Sequence, residues 1–394
     1  MSTAEAGHGF LLPCAQTHLP RRFRPMPDLR NAQPELPALL TDVQQHFAQR
    51  IVPLWQGPGW NAQMALPFEA LSPEHQPLPV QRYRAMACAR QLYLFASRIE
   101  QPGAREHAAA LFRSLQRHFH DAEHGGWFYS IDAQGAPLDR RKDLYTHAFI
   151  IFACAHYWGK VREPLVESTL NAALSVVSEH FSRDDGLYEA SLAEDWSSLD
   201  SGPLQNPLMH LAEAFLATLS IRKDTAVQQA LEALAEAMQA HFIDPEHGVM
   251  LEKPRASVDN WFEPGHQFEW YYLLASSPLL RGGALHHSLE RAFDYAEQYG
   301  VTAGAVLAML SPQGEVRDAT QRIWAQAEYL RALALRPGAE AKVLAQLKAL
   351  QAHFLHAGGW YECRDASGEV SRNDMPSTTP YHLATCLEGL QRQI

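Results

Sequence analysis

The dipeptide His-Phe returns along this chain with a regularity that few folds accommodate. It stands at His46-Phe47, His118-Phe119, His180-Phe181, His241-Phe242 and His353-Phe354, and Gln298-Tyr299 fills the place of a missing copy. The spacing of about 55–72 residues makes six units, each long enough for a helical hairpin with its loops. Each copy closes an amphipathic stretch, such as Ala104–Phe119, Val166–Phe181, Ala226–Phe242 or Ala339–Phe354. A Gly-aromatic or Gly-apolar turn follows four of them: Gly125-Gly126-Trp127-Phe128, Gly186-Leu187-Tyr188, Gly248-Val249-Met250 and Gly358-Gly359-Trp360-Tyr361. Hairpin-like pieces come next, among them Asp132-Ala133-Gln134-Gly135, Pro312-Gln313-Gly314 and Asp365-Ala366-Ser367-Gly368.

A second, more apolar helix then begins near Arg82, Asp143, Asn206, Pro264, Gln321 and Thr379. Tyr145–Trp158 and Asn206–Leu219 are apolar nearly all round, as buried helices are, whereas Ala226–Phe242 has one apolar stripe and belongs outside. An open superhelix needs polar capping repeats at its ends, and none is evident. Six alternations of outer and inner helix therefore predict an all-α fold, a closed (α/α)6 barrel. Its short β-hairpins and the starts of all six inner helices share one end, the active-site end. The barrel is expected to span residues 36–394 as a single domain behind a loose arm at 1–35. That arm lacks the charged and apolar regions of a signal peptide.

Composition narrows the functional classes. A net charge of -11 and the lack of a Lys/Arg stripe argue against nucleic acid as a partner. No apolar run is long enough for a membrane span. The five cysteines, Cys14, Cys88, Cys154, Cys363 and Cys386, are odd in number and scattered, which reads as reduced, buried thiols in a cytoplasmic protein. His-Glu-x-x-His, Cys/His ligand spacings, glycine-rich phosphate loops and a Gly-x-Ser-x-Gly elbow are all missing. Neither a metal nor a cofactor is expected.

The first turns of the inner helices hold the reactive side chains. Arg90 and Tyr93 stand in the first, Lys142, Tyr145 and His147 at the second, and Asn206, an expected N-cap, with His210 and Glu213 on the third. His266 and Glu269 stand on the fourth, Trp324, Gln326 and Glu328 on the fifth, and Tyr381 and His382 on the sixth. Pro207, Pro264 and Pro380 each precede a His with one or two residues between, within the helix start, where proline costs no hydrogen bond. His266 and Glu269, three apart, share a helix face. A helix N-terminus disfavours imidazolium and a carboxylate favours it, so the pair predicts a base tuned near neutral pH. His46, His118, His180 and His241 read as packing residues, His147 as either structural or functional, and Trp127 and Trp360 as pins for the hairpins.

Several stretches together resemble the N-acylglucosamine 2-epimerase superfamily, which includes mannose and sulfoquinovose isomerases, with cellobiose 2-epimerases as cousins. They are Ala89-Arg90-Gln91-Leu92-Tyr93, Asn206-Pro207-Leu208-Met209-His210-Leu211-Ala212-Glu213-Ala214, Glu263-Pro264-Gly265-His266-Gln267-Phe268-Glu269-Trp270, Trp324-Ala325-Gln326-Ala327-Glu328 and Tyr381-His382. The resemblance implies cofactor-free proton transfer at C2 of a sugar. It implies a site made of Arg90, Asn206, His210, His266, Glu269, Trp324 and His382. Arg255 is the one candidate for the arginine that relatives hold before the Glu-Pro-Gly-His helix, and Tyr145 joins the substrate contacts.

On this reading the chain is an aldose–ketose isomerase of a free hexose, D-mannose to D-fructose or a close relative, working through a cis-enediol. His266 and His382 form the acid/base pair, Arg90 and His210 hold O1 and O2, and Glu269 orients His266. Asn206 binds hydroxyls and Trp324 walls the ring. A sugar 2-epimerase is the alternative, since it differs only in where the proton returns. A glycoside hydrolase would need two carboxylates across a cleft, for which Glu269 with Glu213 or Glu328 could serve. A non-catalytic sugar-binding protein is the remaining alternative. The expected partner is a small sugar, with no nucleic acid or membrane, and a homodimer is left open.

Overall fold

The computed structural model describes residues 34–393, so almost all of the expected N-terminal arm lies outside the described residues. Apart from the short helix Val52–Gln56, twelve helices follow in chain order among the described residues: α1 (Leu36–His46), α2 (Ala85–Ala96), α3 (Ala104–Ser114), α4 (Leu144–Val161), α5 (Pro164–Val176) and α6 (Gln205–Ile221). Then come α7 (Thr225–His241), α8 (Pro264–Ser276), α9 (Ala284–Gly300), α10 (Ile323–Leu333), α11 (Glu340–Phe354) and α12 (Thr379–Gln391). The even-numbered helices are buried on most sides and the odd-numbered ones on one stripe, as the apolar patterns require. Helix α2 packs on α4, α4 on α6, α6 on α8, α8 on α10, α10 on α12, and α12 returns to α2. Contacts among the inner helices therefore close into a ring of six. Each inner helix except α12 also packs against the outer helix that follows it.

The His-Phe repeat marks the ends of the outer helices. Phe47, Phe119, Phe181, Phe242 and Phe354 are all buried between the two layers. The three earliest copies sit at π-helical turns, Phe47–Ile51, Leu115–Phe119 and Val177–Phe181. The paired histidine serves as a tie: His46 Nε2 bonds the Gly359 carbonyl and His118 Nε2 the Met64 carbonyl. The histidines at 46 and 118 are thus structural, as the sequence implied, while His180 stacks on Trp196.

A belt of short strands links the units at the N-terminal end of the inner helices. Tyr83–Arg84 pairs with Ser130–Ile131, Lys142–Asp143 with Ser191–Leu192, and Gln321–Arg322 with Cys363–Arg364. Phe262 bridges Leu310, and Met375–Pro376 pairs with Ala70–Leu71, so the last unit is tied to the first. The pairing of Tyr83–Arg84 holds that segment extended, and α2 starts at Ala85, three residues beyond the expected Arg82. The other five starts fall within two residues of expectation. Long connections lie at this end, and short ones such as Arg162–Glu163 at the other. Loops placed on a rigid frame are where function concentrates, and six helix N-termini here add partial positive charge.

His147 has a structural role. Its Nδ1–H donates to the Asp143 carbonyl at 2.8 Å and its Nε2 accepts the Trp127 N–H at 3.2 Å. Gln267 and Gln326 clamp Met250 and Val306 in the same way at the same level of their helices. Burial, with Lys142 and His180 nearby, pushes His147 down to about 4, so it is a neutral spacer rather than a catalyst. Trp127 and Trp360 are fully buried hairpin pins. Cys88, Cys154, Cys363 and Cys386 are buried free thiols. No helix among the described residues is long and apolar enough to cross a membrane.

Candidate active site

The site forms where α2, α6, α8, α10 and α12 begin. Proline opens α8 at Pro264, and Gly265 follows for a packing reason. A Cβ on Gly265 would lie 2.7 Å from the Trp324 ring and 2.9 Å from Ala325 Cβ, so glycine lets α10 approach closely. That approach sets the Trp324 indole between two imidazoles. The His266 ring centroid is 5.2 Å away and that of His382 5.6 Å, tilted by 32° and 37°. On the other side, the Tyr381 ring is 4.7 Å from His382 and 6.2 Å from His210. His210, His266 and His382 thus gather in one place from three helices.

Each histidine has its own carboxylate. His210 Nδ1 donates to Glu213 at 3.0 Å, the i, i+3 pairing expected of two residues on one face. His382 Nδ1 donates to Glu328 at 2.7 Å across to α10. His266 Nδ1 donates to Glu252 at 2.7 Å, and Glu252 lies on the loop after α7. The expectation that Glu269 orients His266 is therefore corrected. The ring turns toward the loop, and Glu269, one turn deeper, takes a hydrogen bond from Arg331 Nη2 at 3.4 Å. Ligand atoms of Glu269 lie within 4.8 Å of His210 and Glu213, and within 4.8 Å of Glu328 and His382. Glu269 is thus the centre of the cluster. Such spacing would also suit a metal ion, but the cation already bonded to Glu269 and Glu328 is the guanidinium of Arg331.

The two tryptophan-flanking histidines are driven apart in proton affinity. Burial alone would lower His266, but Glu252, Glu263 and Glu269 outweigh it and raise it to about 9. The expectation that His266 is tuned near neutral pH fails because Glu252 adds a charge that the helix terminus does not offset. His382 is lowered well below the ordinary imidazole value by burial and by Arg90, His210, Arg331 and His266. One histidine is held as an acid and the other as a base, the pattern that separates acid and base roles. Both retain a small exposed edge, 5 % for His266 and 6 % for His382, while Glu269 and Glu328 beneath are sealed at 0 %.

Arg90 completes the floor. Its Nη2 donates to the Tyr145 hydroxyl at 2.6 Å, and its guanidinium lies 4.1 Å from the Phe149 ring centroid and 4.8 Å from that of Tyr381. Its Nε has no partner, and among the described residues no carboxylate pairs with it. Tyr381 donates its hydroxyl to Glu213. Burial first, then His210, Arg331 and Tyr381, bear on the Glu213 carboxyl, and the net result holds it below the usual range. Tyr145 and Trp324 are half-buried at the rim.

Two expectations need revision. Asn206 is not an N-cap: α6 begins at Gln205 after Leu204, so Asn206 lies inside the first turn. There its Oδ1 is buried without a partner, which suits a group waiting for a donor. Arg255 does not join the cluster. It is exposed, and its backbone N–H is tied to the His241 carbonyl at the end of α7.

Reading the histidine motifs alone misses Glu252 and Arg331. Glu252 stands two residues after Met250, as Glu362 does after Trp360 and Tyr129 after Trp127 in the corresponding turns. The carbonyls of Tyr129, Glu252 and Glu362 accept the first helical N–H of α2, α6 and α10. Aligning the units would have placed the Glu252 side chain at the mouth. Arg331 had no local signal beyond an arginine within an apolar helix.

An inward-facing cluster of paired histidines and a carboxylate-free arginine at the N-terminal end of a helical ring is an arrangement able to donate and accept protons and to stabilise a negative charge. The family model of N-acylglucosamine 2-epimerase (GlcNAc 2-epimerase) matches residues 67–386. The chain belongs to this family, whose named relatives are sugar isomerases and epimerases. It is 28% identical over 380 residues to a mannose-6-phosphate isomerase of Rhizobium meliloti (strain 1021), covering 86% of this chain and 93% of that one. It is 29% identical over 279 residues to a D-mannose isomerase of Thermobifida fusca, covering 69% and 62%. The solved structure of a cellobiose 2-epimerase from Bacillus thermoamylovorans B4167 superposes with a TM-score of 0.82 at 16% identity, covering 90% and 100%.

Proposed function

We propose that this protein is a cofactor-independent aldose–ketose isomerase that converts free D-mannose, or a close relative, to D-fructose. It would do so in a single (α/α)6-barrel domain from residue 36 onward. The observation that carries the reading is the opposed protonation of His266 and His382 on either side of Trp324. His266, as imidazolium, donates a proton to the sugar ring oxygen as the C1–O5 bond breaks, and the O1 hydroxyl returns a proton to it, which leaves the open-chain aldehyde and the imidazolium restored. His382, whose Nδ1 is committed to Glu328, uses its Nε2 lone pair to take the proton from C2. The C2–H electron pair moves into the C1–C2 bond, and the carbonyl oxygen becomes an enediolate. Arg90, with a free Nε and no carboxylate partner, and the helix N-termini stabilise that charge. A proton passes from the O2 hydroxyl to O1 through the cis-enediol, and return of the C2 proton from His382 to C1, with the O2 electrons forming the C2 carbonyl, gives the ketose. His210, Asn206, Tyr145 and Trp324 supply hydroxyl contacts and a wall.

A neutral hexose is favoured over a phosphorylated one. Three basic side chains of the strand belt and its turns are engaged with carboxylates: Arg84 with Glu69, Arg140 with Glu194, and Arg372 with Asp374. The carboxylates of the histidine cluster, Glu213, Glu252, Glu269 and Glu328, are held by His, Tyr and Arg, which argues against their use as a hydrolase pair. The test is incubation with D-mannose and, in parallel, mannose 6-phosphate, in EDTA. Fructose from mannose is expected. Glucose would make the enzyme a 2-epimerase, faster turnover of the phosphate would overturn the neutral-substrate choice, and no product from any free aldose would refute the reading.

A further inference from the structure

Arg331 is the least expected member of the cluster. It sits in the last turn of α10, 2 % exposed, with Nη2 on Glu269, Nε on Glu328 and its guanidinium 4.5 Å from the Tyr272 ring centroid. Three buried carboxylates, Glu213, Glu269 and Glu328, act on it and hold it charged. Burial first, then the neighbouring Glu269 and Glu213, raise the Glu328 carboxyl well above the usual range even with Arg331 opposing them, and loss of that charge would push it further toward its neutral form. A protonated Glu328 would lose the charge that strengthens its bond from the Nδ1–H of His382.

Arg331 also forms part of the wall of a second cavity. This cavity, of about 190 Å³, opens at the far end of the inner helices and is lined by Phe152, His156, Glu213, Leu216, Arg331 and Glu388 among others. It has room for several water molecules. Arg331 and Glu213 therefore separate a rear solvent pocket from the histidines at the front.

We propose that Arg331 is a positioning residue: it fixes Glu328 as the acceptor for His382 and Glu269 between the two histidine pairs, with the rear cavity as its contact with solvent. The inference rests on the isomerase reading above. His382 faces Arg90 from α2, His210 from α6, His266 and Glu269 from α8, and Glu328 and Arg331 from α10. Removing Arg331 takes one positive charge from this set, so the His382–Glu328 pair takes up its next proton at higher pH.

The experiment compares Arg331→Ala and Arg331→Lys with the wild type. In Arg331→Ala, kcat should fall about 10²-fold with KM near its original value, and the acid limb of kcat should move up in pH. Arg331→Lys keeps the charge but not the fork, so a fall of about tenfold is expected. Guanidinium supplied to Arg331→Ala should enter the rear cavity and restore turnover. Equal recovery with potassium chloride at the same ionic strength would overturn the proposal. So would a kcat within twofold of wild type with an unmoved acid limb, in both variants or in the lysine variant alone should the alanine one not fold. Failure of the wild type to act on any aldose would sink the isomerase reading instead. The His382 titration, followed by imidazole NMR in wild type and variant, would then still decide the role of Arg331: an upward move supports it and an unchanged titration refutes it.

Discussion

Replacing Glu252 by Gln should move the alkaline edge of activity. His266 rises from 6.5 to about 9, a preference for imidazolium worth roughly 3 kcal/mol at about 1.36 kcal/mol per pH unit. Three carboxylates act on it, but only Glu252 bonds its ring directly, at 2.7 Å. Glutamine retains an oxygen to accept Nδ1–H and so keeps the tautomer, while the charge is lost. A paired opposite charge at this range is worth about 1–3 pH units, so the variant should titrate about 1–2 units lower. If the imidazolium donates the ring-opening proton, wild-type kcat/KM declines above pH about 9 and that of Glu252→Gln above about pH 7–8. At pH 8.5 the variant should then be down about tenfold, and at pH 6.5 nearly unimpaired. The assay is fructose formation from D-mannose between pH 5.5 and about 10. An alkaline limb that stays in place would refute the assignment of His266 as the acid. Stability follows the same titration. A histidine raised on folding contributes fully below about pH 6.5 and loses that contribution as pH rises through about 9. The wild-type Tm should fall across that window, and the variant's fall should begin at lower pH.

Arg90→Met should cost about 10²–10³-fold in kcat with little change in Tm, because the guanidinium is aimed at developing charge and is not part of an ion pair; an unaltered kcat would remove Arg90 from the oxyanion site. His147→Gln should fold and turn over nearly as the wild type, since Gln267 and Gln326 make the same clamp elsewhere, whereas His147→Ala should lose about 1–3 kcal/mol in urea titration. Lys142→Met should destabilise by about 3–5 kcal/mol, because fully buried Lys142 pairs with Asp121 at 2.6 Å and the carboxylate would be left alone. A double change with Asp121→Leu should recover part of that loss.

Much of the architecture is legible in the His-Phe period because the phenylalanine plugs the space between the helix layers in five of the six units. The repeat is a packing requirement, so it survives in sequence as a period. The inner helix starts are readable for a similar reason: proline and apolar runs mark them. The strand belt is less visible, since pairs of two residues such as Tyr83–Arg84 carry no alternation to detect and are held by neighbours from the next unit.

The site follows the same division. His210 with Glu213 is a local pair and was readable from spacing. His266 with Glu269 had the same spacing, yet loop and helix packing chose Glu252 for the ring and Arg331 for Glu269. Side-chain choice among several acceptors depends on tertiary approach, which spacing along one helix does not encode. The protonation states were beyond reach for the same reason. His266 and His382 sit at similar helix starts, but one gathers carboxylates and the other gathers cations. His147 read as either structural or functional, and the choice lies in its two ring nitrogens, which are both bound to backbone.

The central claim is that a neutral His382 removes the C2 proton of a free aldose. Proton NMR of D-mannose with the enzyme in D₂O tests it most directly, with His382→Ala alongside the wild type. The account predicts fructose carrying deuterium at C1 from the wild type, and loss of both label uptake and turnover by about 10²–10⁴-fold in the variant. Label entering C2 of glucose, or undiminished turnover in His382→Ala, would contradict it.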